Sequence, residues 1–323
     1  MPWYDLPIEE LYRYRTTTEE PPGLDEWWAR RVADAEAAAR PPALTRHEAD
    51  LYAPFEVYDT EFSGAGGDRI KAWYIRPADA GETTPVVVTF IGYGGGRGLP
   101  AEHLRLPSLG YTEFVMDTRG QGGRWSSGAT GDGADGPENS WVMTRGIGRP
   151  EGYYFTRLFT DAARAVLTAF ELSGRETVAV SGGSQGGGLS LAAAALVPAR
   201  VTVCHADVPF LCDIQRGITL APDAPYTEIP TYLAANPDLT PAALDTLRYV
   251  DCALLARRIT AECLLSVSLM DPICPPSTVF AAYNEITAGK DIAVYPYHGH
   301  EVPVAHIERQ LQHLRKFHRN AGG

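Results

Sequence analysis

The spacing of apolar and polar positions changes character several times along the chain. From Phe55 to Phe62 and from Arg69 to Ile75, two β-rich runs flank Ser63-Gly64-Ala65-Gly66-Gly67-Asp68, the pattern of a hairpin with a longer loop. Pro85 to Ile91 is a continuous apolar, β-branched run that ends in Gly92-Tyr93-Gly94-Gly95-Gly96, as expected of a strand covered on both faces. Further strands are predicted over Thr112 to Met116, Thr177 to Ser181, Val201 to Cys204, Cys263 to Ser268 and Ile292 to Tyr295. Helical stretches from Thr156 to Ser173, Gln185 to Val197, Ser277 to Thr287 and Pro303 to His318 lie between or after them. Strands alternating with helices predict an α/β fold, a mostly parallel sheet with helices on both faces.

Two segments fall outside that rhythm. Residues 1–50 mix a helical stretch, Leu24 to Ala39, with acidic turns and read as an N-terminal extension on the main body. Its rings, Trp3, Tyr4, Tyr12, Tyr14, Trp27 and Trp28 with Leu6 and Leu11, suit either an interface between subunits or packing on their own chain. Residues 205–260 carry Pro209, Pro222, Pro225, Pro230, Pro237 and Pro241 and are too long for a simple crossover, so a helical insertion or lid is predicted. With no internal repeat and no low-complexity tract, residues 1–323 read as one domain.

Composition narrows the class. At 45% apolar and 21% charged residues the chain can bury a large core. The apolar run around Leu189 to Val197 is far shorter than a bilayer span requires, so no membrane segment is expected. Charged residues among the first twenty argue against a secretory signal. The net charge of −12 disfavours nucleic acid and anionic membrane as partners. Five cysteines, none in a Cys-x-x-Cys spacing, and the absence of an Asn-x-Ser/Thr acceptor fit reduced thiols in a cytoplasmic protein.

The sharpest chemical signal is Gly182-Gly183-Ser184-Gln185-Gly186, placed directly after an apolar strand and directly before an Ala/Leu-rich helix. That is the strand–turn–helix setting of a nucleophile elbow, whose glycines relieve crowding around a strained serine. A serine hydroxyl is a weak nucleophile at neutral pH, so a histidine base and an orienting acid should follow it in the chain. Asp271 stands just past the strand ending near Met270, with Asp291, Glu262 and Asp251 as lesser candidates. His298 and His300 both stand just past the last predicted strand, and spacing does not choose between them. Acyl transfer also needs two backbone N–H groups aimed at the developing oxyanion; the residue after the serine and the loop after an early strand nominate Gln185 and Tyr93. His298, His300, Glu301 and His306 cluster, but Val304 stands where His-Glu-x-x-His would need its second histidine, and Pro303 interrupts the helix. No metal and no other cofactor is expected.

Arg119-Gly120-Gln121-Gly122, Gly182-Gly183-Ser184-Gln185-Gly186 and His300-Glu301 resemble, in order and spacing, the three motifs of the acetyl xylan esterase and cephalosporin C deacetylase family, carbohydrate esterase family seven. Asp207-Val208-Pro209-Phe210-Leu211-Cys212 and Met270 to Thr278 resemble it too, so the likeness runs from about Phe55 to the last helix. The resemblance implies an α/β-hydrolase fold with Ser184 as nucleophile, Asp271 as acid and His300 as base. Tyr93 and Gln185 would form the oxyanion hole, Arg119, Gly120, Gln121 and Glu301 would brace the surrounding loops, and Pro209 would lie near the acyl site. It further implies deacetylation of small acetylated carbohydrates such as xylo-oligosaccharides and of esters such as cephalosporin C, in a homohexamer. The family usually continues His-Glu with glycines; Val302-Pro303-Val304 follows here, which puts substrate preference in question. Rival readings are another α/β-hydrolase, such as a short-chain carboxylesterase, lipase, peptidase or dienelactone hydrolase, or a hydrolase-like protein that binds without turnover.

Overall fold

A computed structural model describes residues 3–132 and 141–320, so residues 1–2, 133–140 and 321–323 of the expected domain lie outside the described residues. The strands are β1 (Ala43–Arg46), β2 (Phe55–Ser63), β3 (Arg69–Pro77), β4 (Val86–Phe90), β5 (Thr112–Met116), β6 (Val178–Gly183), β7 (Val201–Asp207), β8 (Glu262–Ser268) and β9 (Lys290–Tyr295). They form one sheet in the order β1-β2-β3-β5-β4-β6-β7-β8-β9. The first three strands are antiparallel and β3 meets β5 antiparallel, whereas every pairing from β5 to β9 is parallel. The β2–β3 hairpin is in continuous register from Ser63↔Arg69 to Phe55↔Pro77.

Alternation along the central strands explains the two helical layers. Val86, Val88 and Phe90 of β4, Phe114 and Met116 of β5, and Val178 and Val180 of β6 join one core with the helices Leu24–Ala37, Tyr154–Ser173 and Gln185–Leu196. Their neighbours Val87 and Ala179, with Val203 of β7, face the opposite way and pack with Leu314 of the last helix, Ala305–Asn320. Both faces are covered, which is why these strands are uninterrupted apolar runs in the sequence. No helix among the described residues is long and apolar enough to cross a membrane.

Two elements depart from the sequence reading. The edge strand β1 falls in the N-terminal segment where no strand is predicted; all four of its residues are exposed, so it has no apolar alternation to reveal it. β7 runs on through His205 to Asp207, pairing with both β6 and β8, so the helical stretch begins after Asp207. There the helices Ile214–Leu220, Glu228–Ala235, Thr240–Arg248 and Cys252–Leu255 follow one another. The rings of the N-terminal segment mostly pack on their own chain: Trp28 is buried and donates to the Tyr249 carbonyl at 2.9 Å, while Trp3 and Tyr12 stay exposed.

Glu113 of β5 is buried, and the desolvation raises its carboxyl from an ordinary 4.5 to about 7, opposed by the Thr89 hydroxyl that donates to it at 2.7 Å. A carboxyl raised in the fold contributes stability that is complete below its unfolded value and is lost as pH climbs through the folded value. Glu113→Gln is therefore expected to melt higher than the wild type at pH 8, by roughly 5 °C, and the difference should shrink toward pH 4.5. Thermal melts across that range check this; a pH-independent difference would show that the buried acid is not its source.

Candidate active site

β6 ends at Gly183 and a helix begins at Gln185, so Ser184 alone turns the chain, with φ 56° and ψ −119°. A side chain is held in that region only where its surroundings over-determine it. Here Ser184 N–H donates to the Asp207 carbonyl at 2.8 Å, and the Ser184 carbonyl accepts from the N–H groups of Phe210 at 2.9 Å and Gly188 at 3.0 Å. A Cβ on Gly182 would stand 2.5 Å from the Gly186 backbone, and one on Gly186 would stand 2.3 Å from the Phe90 carbonyl oxygen. The glycines let helix, serine and β4 approach this closely.

Asp271 lies just past β8 and His300 in the loop after β9. His300 Nε2 is 2.8 Å from Ser184 Oγ, and His300 Nδ1 is 2.8 Å from Asp271 Oδ2. Asp271 is fully buried, and its other oxygen accepts the Ile273 and Cys274 N–H groups at 2.8 and 2.9 Å, which orients the carboxylate. The loop bearing His300 is tied down by the Ser268 hydroxyl, which donates to the Glu301 carbonyl at 2.6 Å. His298 takes another course: its ring meets Tyr295 edge-on, and its buried Nδ1 has no hydrogen-bond partner. Of the lesser acids, Asp251 is buried elsewhere, capping backbone N–H groups of Asp213, Ile214 and Ala253. A serine hydroxyl in this arrangement can pass its proton to the imidazole as it attacks a carbonyl carbon.

The two proposed oxyanion donors belong to loops joined by one side chain. Gln185 is the first residue of its helix, so its N–H has no carbonyl one turn back to bond. The Gln185 side chain donates to the Ile91 carbonyl at 3.2 Å and accepts from Gln121 Nε2 at 2.8 Å. Gln121 Oε1 in turn accepts the Gly94 N–H at 2.7 Å, beside Tyr93. Arg119 is buried with its guanidinium on Asp161, Nη2 donating to Oδ1 at 2.8 Å, and on Asp68 at 2.9 Å. Gly120 has φ 60°, and a Cβ there would come 2.7 Å from that of Asp132. Glu301 is exposed at the cavity mouth and its link to the fold is through its backbone.

These groups open onto a cavity of about 670 Å³, within the range of small-molecule sites. Ser184, His300, Tyr93, Trp125, Val208 and Pro225 line it. Pro209 packs against the elbow helix, where a Cβ on Gly187 would stand 3.1 Å from its Cα, and its neighbour Val208 lines the cavity.

Asp271, Cys274 and His300 bring donor atoms within 4.8 Å of one another. Burial and the charge of Asp271 push the Cys274 thiol well above its ordinary range. A cation there would have to displace the hydrogen bonds of Asp271 and His300. His298, His300, Glu301 and His306 do not converge: His306 is buried against Asp207 at 2.7 Å and Tyr295 at 2.8 Å.

Several participants escape sequence reasoning. Asp207 ends β7 beside Ser184 and collects His306, Ser266 and Gln310 on its carboxylate; a longer β7 is the signal that would point to it. The Tyr93 hydroxyl donates to Glu228 at 2.7 Å, and burial raises both groups above their ordinary values. The N-terminal segment reaches the acid's loop, with the Tyr4 hydroxyl on the Asp271 carbonyl and Asp5 accepting the Ser277 N–H at 2.7 Å and Arg216 Nη2 at 3.0 Å.

A strained serine between strand and helix, at the carboxyl ends of a parallel sheet and in line with a histidine and a buried carboxylate, marks the α/β-hydrolase class. Solved structures agree: the acetyl xylan esterase of Paenibacillus sp. R4 superposes with a TM-score of 0.86 at 32% identity, covering 96% of this chain and 99% of that one. Acetyl xylan esterase 1 of Thermoanaerobacterium sp. JW/SL YS485 gives 0.85 at 35% identity, covering 96% and 98%. Residues 1–317 match the family described as acetyl xylan esterase (AXE1), and the chain belongs to that family, one of deacetylating carboxylic ester hydrolases. The acetyl esterase Axe7A of Xylanibacter ruminicola is 34% identical over 165 residues, 50% of this chain, and the chain spans only 36% of that relative's length.

Proposed function

We propose that this chain is a serine esterase that removes acetyl groups from small acetylated carbohydrates such as xylo-oligosaccharides and from related esters such as cephalosporin C. The observation that carries the reading is the hydrogen-bonded line from Ser184 Oγ through His300 to Asp271 at the floor of an open cavity. Ser184 Oγ attacks the ester carbonyl while His300 Nε2 takes its proton, and the N–H groups of Tyr93 and Gln185 hold the oxyanion. The tetrahedral adduct collapses, His300 returns the proton to the departing alkoxide, and the alcohol leaves an acetyl-serine. Water then repeats the sequence, its proton passing through His300, and releases acetate and the free hydroxyl. Asp271 keeps the imidazole oriented and offsets its positive charge. Arg119, Gly120, Gln121 and, through its backbone, Glu301 hold the loops in place, and Pro209 packs against the elbow helix near the acyl site.

An acyl-length series on one alcohol tests the reading. Acetyl esters should be cleaved faster than butyryl and longer esters, whereas rates rising toward octanoyl would favour a lipase-like activity. The five buried, unpaired cysteines support a reducing, cytoplasmic setting. The hexamer belongs to the same reading through the family resemblance, and a monomer mass by light scattering at micromolar concentration would remove it.

A further inference from the structure

Trp125 is the exposed aromatic side chain that lines the cavity holding Ser184, and 62% of it is open to solvent. It is not loose. The indole N–H donates to the Tyr93 carbonyl at 2.9 Å, and a Cβ on Gly95 would come 2.2 Å from the ring, so the indole lies directly on the glycine-rich loop after β4. Backbone lies against part of the ring, and most of the residue is open to solvent. Burying a large apolar ring normally stabilises a fold, so one kept exposed and fixed beside a catalytic cavity is suited to a ligand.

We propose that Trp125 is the platform on which the pyranose ring of the leaving alcohol stacks, making it a specificity-determining residue for the alcohol side of the ester. The inference rests on the esterase reading above and extends it. An indole face is electron-rich, and the axial C–H groups of a sugar are apolar and slightly positive, so the two are complementary. The polar groups around the ring favour a neutral polyhydroxylated partner. Arg124, whose stem lies over Gly94, offers N–H donors, and the Glu102 and Glu301 carboxylates on the same cavity offer acceptors. With one guanidinium against two carboxylates, that mixture disfavours an anionic group and supplies both donors and acceptors to hydroxyls.

The test compares wild type, Trp125→Ala and Trp125→Phe on two acetyl esters, mono-acetylated methyl β-xylopyranoside and ethyl acetate, by titrating the acid released. In the alanine variant KM for the xyloside ester should rise roughly tenfold more than KM for ethyl acetate, and phenylalanine should recover most of that difference because a ring remains without the indole N–H. If KM for the two esters moves in parallel, or if phenylalanine is as poor as alanine and the loss lies in kcat, Trp125 acts by bracing Tyr93 and the platform is overturned. A wild-type protein that hydrolyses neither ester overturns the esterase reading, and the platform with it; activity with parallel losses overturns the platform alone.

Discussion

Ser184→Ala is expected to lower the hydrolysis of a short acetyl ester by roughly 10,000-fold or more, because removing one member of such a triad leaves only the oxyanion donors and substrate binding. The fold should survive the change. Ser184 holds its position through backbone bonds, from its N–H to the Asp207 carbonyl and from the Phe210 and Gly188 N–H groups to its own carbonyl, and alanine keeps all three. Steady-state kinetics on a variant with a wild-type melting temperature checks this. Retention of even a tenth of the wild-type rate would remove Ser184 from the mechanism.

The second large effect separates two histidines that differ by two positions. His300→Ala should be nearly as damaging as the serine change, since it removes the one group that bridges Ser184 Oγ and Asp271 at 2.8 Å on each side. His298→Ala should cost within roughly tenfold in kcat/KM, because what His298 gives the loop is its backbone carbonyl, which accepts the Met270 N–H at 3.1 Å and survives the substitution. Reversed losses would mean that the base, and the loop conformation that presents it, are both misassigned.

The elbow is legible in the sequence because local chemistry alone specifies it: an apolar strand, glycines at two crowded positions and a helix that starts at once. Asp271 is legible for a related reason, as a carboxylate just past the end of a buried strand. The choice between His298 and His300 is not legible from spacing; it follows from how the loop after β9 folds back on β8, and the resemblance to a family motif is what singles out His300. Glu228 could not be read at all, since it meets Tyr93 across 135 positions and nothing in its own helix marks it. β1 is invisible for the opposite reason, a short edge strand with no buried face.

The contacts of Tyr4 and Asp5 with the loop of Asp271 bear on how the enzyme comes into being during translation. Asp5 leaves the ribosome long before its partner Ser277, which lies 272 positions later, and closing so long a loop is entropically expensive and late. The acid's loop acquires the Tyr4 and Asp5 clamp only when segments 272 positions apart have met. Nascent chains should therefore remain without esterase activity until the last strands emerge.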